Sequence, residues 1–132
     1  MKPKEVLEEA KAGENVKKEY RIKKSEEFSA VFQNGTSYAN QQFVVYVLDK
    51  PGQPHLRAGF TVGKKLGNAV TRNQMKRKMR ELVRIHQTHL HPEKDYVLIA
   101  RKPVLQLSFQ QLERSFIHVM KRAKVWNHEN EI

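Results

Sequence analysis

Residues 71 to 89 hold the pattern that most limits how this chain can fold. Along Thr71-Arg72-Asn73-Gln74-Met75-Lys76-Arg77-Lys78-Met79-Arg80-Glu81 and onward, Met75, Met79, Leu82 and His86 recur at helical spacing. On a helical wheel Arg72, Asn73, Lys76, Arg77, Arg80 and Arg84 fall on the other side, within an arc of roughly 140°. Such a helix must lay its apolar stripe on a core supplied by the rest of the chain, leaving a cationic stripe outward. Thr71 is the expected N-cap and Gln74 completes a capping box, so the predicted helix runs from about Arg72 to His89.

A basic helix face is often no more than a solvated surface, but then Glu is usually interspersed in i,i+4 pairs. Here Glu81 is the one acid within the helix. Arg presents a fork that matches phosphate, Asn73 can bond a base edge or a 2′-hydroxyl, and Arg72 and Asn73 are expected near the positive end of the helix dipole. The imbalance extends further. Lys50, Arg57, Lys64, Lys65, Arg72, Lys76, Arg77, Lys78 and Arg80 lie in a stretch with no acid, while seven of the 14 acids precede residue 28. With 25 Lys and Arg and a net charge of +11, the chain calls for a polyanionic partner.

At 132 residues there is material for one core and one domain. The absence of cysteine excludes disulfides and thiolate metal sites. Apolar runs such as Phe43 to Leu48 are too short to span a bilayer and the N-terminus lacks a signal-peptide core, so the expected location is cytoplasmic. His86, His89 and His91, with Glu93 and Asp95 beyond, match no zinc spacing and read as imidazoles at a helix end. Gly63-Lys64-Lys65-Leu66-Gly67 lacks the spacing of a phosphate-binding P-loop and reads as a basic turn. No Cys nucleophile, His-Glu-x-x-His or Gly-x-Ser-x-Gly motif is present.

The remaining elements follow from caps and periods. Residues 1 to 19 form a Glu- and Lys-rich extension expected to fray or stay disordered, followed by one domain over 20 to 132. Ser25 caps a short helix with acidic Glu26 and Glu27 in its first turn, and Asn34-Gly35 stops it. Thr36 to Ala39 is a short strand. Gln42 to Asp49 is a strand with Val44 and Tyr46 on one face and Phe43, Val45 and Val47 on the other. Turn residues 50 to 54 lead to a strand from Leu56 to Val62, and the two are expected to pair as an antiparallel hairpin. Asp95 to Arg101 is a further strand, and Ser108 and Gln111 box the start of a last helix carrying Leu112, Phe116, Val119, Met120 and Ala123. This order makes an α+β sandwich with helices covering one sheet.

Phe28 and Phe32, four apart on the first helix, share a face, as do Val44 and Tyr46 on the strand. If those faces meet at a groove edge they form a platform for stacking unpaired bases, with Lys64 and Lys65 near for phosphates. By spacing alone an ordinary core is the favoured reading, since aromatic residues in such patterns are more often interior.

Several segments together resemble the bacterial ribonuclease P protein family: Arg21-Ile22-Lys23-Lys24, Glu27-Phe28, Val31-Phe32, Gly35-Thr36-Ser37, Gln42-Phe43-Val44, Val62 to Val70, Arg72-Asn73, Lys76-Arg77, Arg80-Glu81 and Ile99-Ala100-Arg101. The resemblance covers roughly residues 20 to 126. It implies a two-layer αβββαβα sandwich with a left-handed βαβ crossover around the basic helix, related to a ribosomal protein domain. It implies an endoribonuclease whose RNA subunit performs Mg2+-assisted hydrolysis while the protein binds the 5′ leader of precursor tRNA; no obligate protein partner is evident in the sequence. Phe28, Phe32, Val44 and Tyr46 would line the leader cleft, with Lys64 and Lys65 beside it. Arg72, Asn73, Lys76, Arg77 and Arg80 would face the RNA subunit and help order metal-bound RNA. The signature departs at Gln74, where the family carries Arg, and the extension before residue 20 has no counterpart. The rival readings are a ribosomal or other structural RNA-binding protein of similar fold and a DNA-binding module using the Arg72 helix.

Overall fold

The computed structural model describes residues 20–127; the expected N-terminal extension lies outside them. Elements follow in the order α1 (Ser25–Asn34), β1 (Thr36–Ala39), β2 (Phe43–Asp49), β3 (Arg57–Val62), α2 (Ala69–His86), β4 (Lys94–Ala100) and α3 (Phe109–Arg122), the αβββαβα sequence.

The expected hairpin does not form. The sheet order is β1-β2-β4-β3, with β4 antiparallel to β2 and parallel to β3, so β3-α2-β4 is a parallel crossover that delivers β4 between the two strands. The connection over residues 50–56 arches across the start of β4. Lys50 N–H donates to Glu93 O at 2.8 Å, Gly52 N–H to the Glu93 carboxylate at 3.2 Å, and the Gln53 amide to Lys94 O at 3.2 Å. Gly52, at φ 83°, makes the turn that a side chain would strain.

Strand alternation divides the interior as the period of two predicts. Phe43, Val45 and Val47 join Tyr96, Leu98 and Ala100 in a core closed by Met75, Met79, Leu82 and Val83 of α2 and Leu112, Phe116, Val119 and Met120 of α3. The opposite sheet face carries Val44, Tyr46, Leu48, Val97 and Ile99, and α1 lies on part of it through Val31, packed with Ile22 and Val97. Covered on both sides, β4 is apolar from Tyr96 to Ala100 rather than alternating. Ser108 and Gln111 form their capping box.

The basic helix starts earlier than expected. Asn68, not Thr71, is the N-cap: its side chain accepts the Thr71 N–H at 2.9 Å. Asn outranks Thr in this role, and Gly67, at φ 141°, turns the chain into it. Arg72 and Asn73 therefore sit in the second turn, beyond the strongest reach of the helix dipole, and Gln74 has no cap to complete. The helix ends at His86, with a 3-10 turn over Gln87–His89. The first helix likewise has Lys24 rather than Ser25 as N-cap, with the Glu27 carboxylate accepting from the Lys24 backbone at 3.3 Å. Among the described residues no helix is long and apolar enough to cross a membrane.

Candidate RNA-binding site

The two aromatic faces meet. Phe32 and Tyr46 pack edge to face with ring centroids 4.9 Å apart, and Phe32 remains 40% exposed, so this pair is not interior packing. Phe28 is half-buried above Gly59, where a Cβ would stand 2.6 Å from the ring. Only glycine lets that ring approach the sheet so closely. Register places Val44, Ile99 and Thr61 side by side as a half-buried row beyond Tyr46, Val97 and Gly59. That row forms a floor, and α1 with its two phenylalanines forms one wall.

Lys64 and Lys65 stand on an exposed 3-10 turn (Lys64–Leu66) that follows β3, at the Val44–Ile99–Thr61 end of the sheet. The sheet thus puts cations at the mouth of the cleft.

On α2 the apolar stripe is buried as expected, and Asn73, Arg77 and Lys78 project outward beside Arg72, Lys76 and Arg80, which are half-buried. The Arg72 Nε–H donates to Gly67 O at 3.1 Å, which fixes its stem across the start of the helix. Arg84 is partly withdrawn from the cationic stripe because its Nε–H pairs with Glu81 at 3.0 Å.

A pocket of about 240 Å³ brings Phe28 of the cleft wall together with Lys76 and Arg80 of the helix, and Phe60, Arg21 and Lys23 also line it. The Arg80 Nε is buried there without a hydrogen-bond partner. Burial first, then the positive charges of Arg21 and Arg77, pull the Arg80 guanidinium below its usual pKa. Arg stays charged regardless, so the arrangement concentrates cations in a partly dry recess where an anion is strongly favoured. Arg21 and Lys23 lie in a segment that carries the family resemblance, but neither they nor Phe60 were assigned to the site from the sequence. A basic run before the first helix gives no hint of the distant helix it will face.

The acids near the cleft are engaged. Arg57 makes a fork to Asp95, Nε to Oδ1 at 3.1 Å and Nη2 to Oδ2 at 2.7 Å, and its Nη1 reaches Glu27 at 2.9 Å. Hydrogen bonds to Asp95, then to Glu27, hold Arg57 above its ordinary value against desolvation. The Arg57 hydrogen bond holds Glu27 below the usual carboxylate range. Of the histidines, His86 meets Glu113 at 2.7 Å, His89 stacks on Trp126 with ring centroids 4.8 Å apart while its Nδ1 is buried without a hydrogen-bond partner, and His91 Nδ1 accepts the Glu93 N–H at 3.2 Å. Among the described residues no group of His, Asp and Glu side chains could hold a metal. Mg2+ takes oxygen ligands, whereas the pocket's polar side chains are guanidinium and ammonium groups, so these residues do not fit a directly bound ion.

This geometry coincides with that of known proteins. The family model described as Ribonuclease P matches residues 16–124. The chain belongs to the ribonuclease P protein family. The ribonuclease P protein component of Exiguobacterium sibiricum is 51% identical over 114 residues, covering 86% of this chain and 98% of the relative. That of a second Exiguobacterium strain is 57% identical over 111 residues, covering 84% and 96%. The solved ribonuclease P protein of Staphylococcus aureus superposes with a TM-score of 0.76 at 45% identity, covering 82% of this chain and 98% of that one. The Thermotoga maritima protein, solved with a bound fluorophenyl thiourea, gives 0.72 at 29% identity, covering 77% and 98%. Within ribonuclease P, a tRNA-processing ribonucleoprotein, this chain is an RNA-binding protein subunit of an endoribonuclease.

Proposed function

We propose that the cleft over Val44, Ile99 and Thr61 receives the single-stranded 5′ leader of precursor tRNA while the outer face of α2 seats on the catalytic RNA subunit. Phe28, Phe32 and Tyr46 supply ring faces and edges for unpaired bases, and Lys64 and Lys65 meet the backbone leaving the cleft. Arg72, Asn73, Lys76, Arg77 and Arg80 contact RNA phosphate and sugar groups, which position without reading sequence. The observation that carries this reading is the shared pocket: Phe28 of the cleft and Lys76 and Arg80 of the helix line one recess, whose concentrated positive charge favours an RNA phosphate.

Bond breaking belongs to the RNA subunit with Mg2+. The protein holds and neutralises phosphates so that RNA oxygens can bind the ion, supplying orientation and charge rather than ligands. Gln74, in place of an arginine, offers an amide toward RNA from the second turn of α2. The domain proper begins near residue 20, and the holoenzyme acts in the cytoplasm.

The test is reconstitution. Purified protein added to refolded ribonuclease P RNA at limiting Mg2+ raises precursor cleavage well above that of RNA alone. No gain, or cleavage by the protein without RNA, overturns the proposal.

A further inference from the structure

The cleft wall is a single helix of ten residues, Ser25–Asn34, and its position relative to the sheet decides the width of the groove. Resting on the leader-cleft reading, we propose that Glu27 and Gly35 are positioning residues that hold α1 at the height at which the cleft discriminates a leader-bearing tRNA from a mature one.

Three contacts pin the helix, and none is made by a side chain assigned to RNA. At its start, Glu27 carries two loads. One carboxylate oxygen accepts from the Lys24 backbone at 3.3 Å, and the other accepts Arg57 Nη1 at 2.9 Å. Arg57 is itself clamped on β4 by its fork to Asp95, which is 1% exposed. The tether therefore runs from α1 through β3 to the strand beneath the cleft floor. In the middle, Val31 is fully buried against Ile22 and Val97. At the end, Gly35 lies so close to β2 that a Cβ would stand 2.7 Å from Val47 O and 2.6 Å from Val31 O, backbone atoms that cannot swing aside. Its φ of −86° is open to any residue, so proximity alone demands glycine here.

Phe28 and Phe32 project from the helix between these fixed points. A stacking site depends on ring separation at the scale of an ångström, so loosening either end changes how the leader fits while leaving α2 untouched.

Glu27→Gln tests the first end. A neutral amide has one acceptor oxygen and can serve the helix start or Arg57, not both. Gly35→Ala tests the other end by lifting the helix from β2. In the reconstituted holoenzyme, each substitution is expected to lower the ratio of precursor to mature tRNA affinity roughly three- to tenfold. Affinity of the protein for the RNA subunit should stay at wild type, a separation that general destabilisation does not produce. Glu27→Gln, which empties no buried space, keeps the test decisive if Gly35→Ala fails to fold. A wild-type ratio in Glu27→Gln, while Phe32→Ala still loses discrimination, overturns the positioning role and leaves the cleft standing. If Phe32→Ala also keeps the wild-type ratio, the cleft reading falls and the positioning role with it.

Discussion

Phe28 sits directly over Gly59, with both Cε1 and Cζ of its ring 2.6 Å from where a Cβ on Gly59 would be. One position on β3 thus sets how deep an aromatic of the cleft wall can settle. Gly59→Ala should displace the ring and cost about 1 to 3 kcal/mol through overpacking. Urea denaturation measures the loss, and a shift smaller than a few tenths of a kcal/mol shows that the ring can swing away freely.

Phe32 and Tyr46 meet edge to face at the exposed lip of the cleft. Phe32→Ala and Tyr46→Ala should each weaken holoenzyme binding to precursor tRNA by about 1 to 3 kcal/mol if a stacked base is lost. Binding to mature tRNA should barely change. Equal losses for both ligands would count against leader stacking.

Lys76 and Arg80 share a recess with Phe28 of the cleft wall. Removing either charge should flatten the dependence of RNA affinity on salt, by about 0.7 to 0.9 in the log–log slope for each phosphate left without its cation. Titrations at several salt concentrations give that slope, and an unchanged value removes these side chains from the interface.

Arg57 holds two acids at once. Arg57→Ala leaves Asp95 buried and unpaired, which should cost about 3 to 5 kcal/mol. Arg57→Ala with Asp95→Asn should recover much of that loss, because the stranded charge is gone. The pH dependence has a defined sign. Glu27 has a folded-state pKa below its ordinary 4.5, so its contribution is present above that value and is lost as pH falls through the lowered folded pKa. In acid unfolding, Glu27→Gln should therefore remove part of the stability decline below about pH 4.5. An identical decline in wild type and Glu27→Gln contradicts the tether.

Much of this was legible in the sequence because local signals and tertiary outcome agree. Met75, Met79 and Leu82 at helical spacing and Phe43, Val45 and Val47 at strand spacing report burial directly, and Ser108 with Gln111 reports a cap. The β2–β3 separation was not legible. The Lys50-to-Pro54 turn satisfies its own backbone whether the strands pair or part, and only the return of β4, some 45 residues after Asp49, separates them. The early start of α2 was hidden by two good capping residues, Asn68 and Thr71, three apart, of which the chain uses the first. From spacing alone Phe28, Phe32, Val44 and Tyr46 did not distinguish a cleft from a core, since exposure of Phe32 and burial of Val31 on the same short helix depend on where the sheet lies. The Arg21–Arg80 recess joins residues 59 positions apart, and no local pattern encodes that meeting.

On the proposed reading, the protein's grip on precursor tRNA runs through unpaired leader nucleotides in the α1 cleft. The direct measurement is the affinity of holoenzyme and of RNA subunit alone for precursors whose leader is shortened one nucleotide at a time. The protein-dependent gain should be constant for long leaders and collapse once the remaining nucleotides no longer reach Phe32 and Tyr46. A gain that persists unchanged with no leader at all would contradict the account.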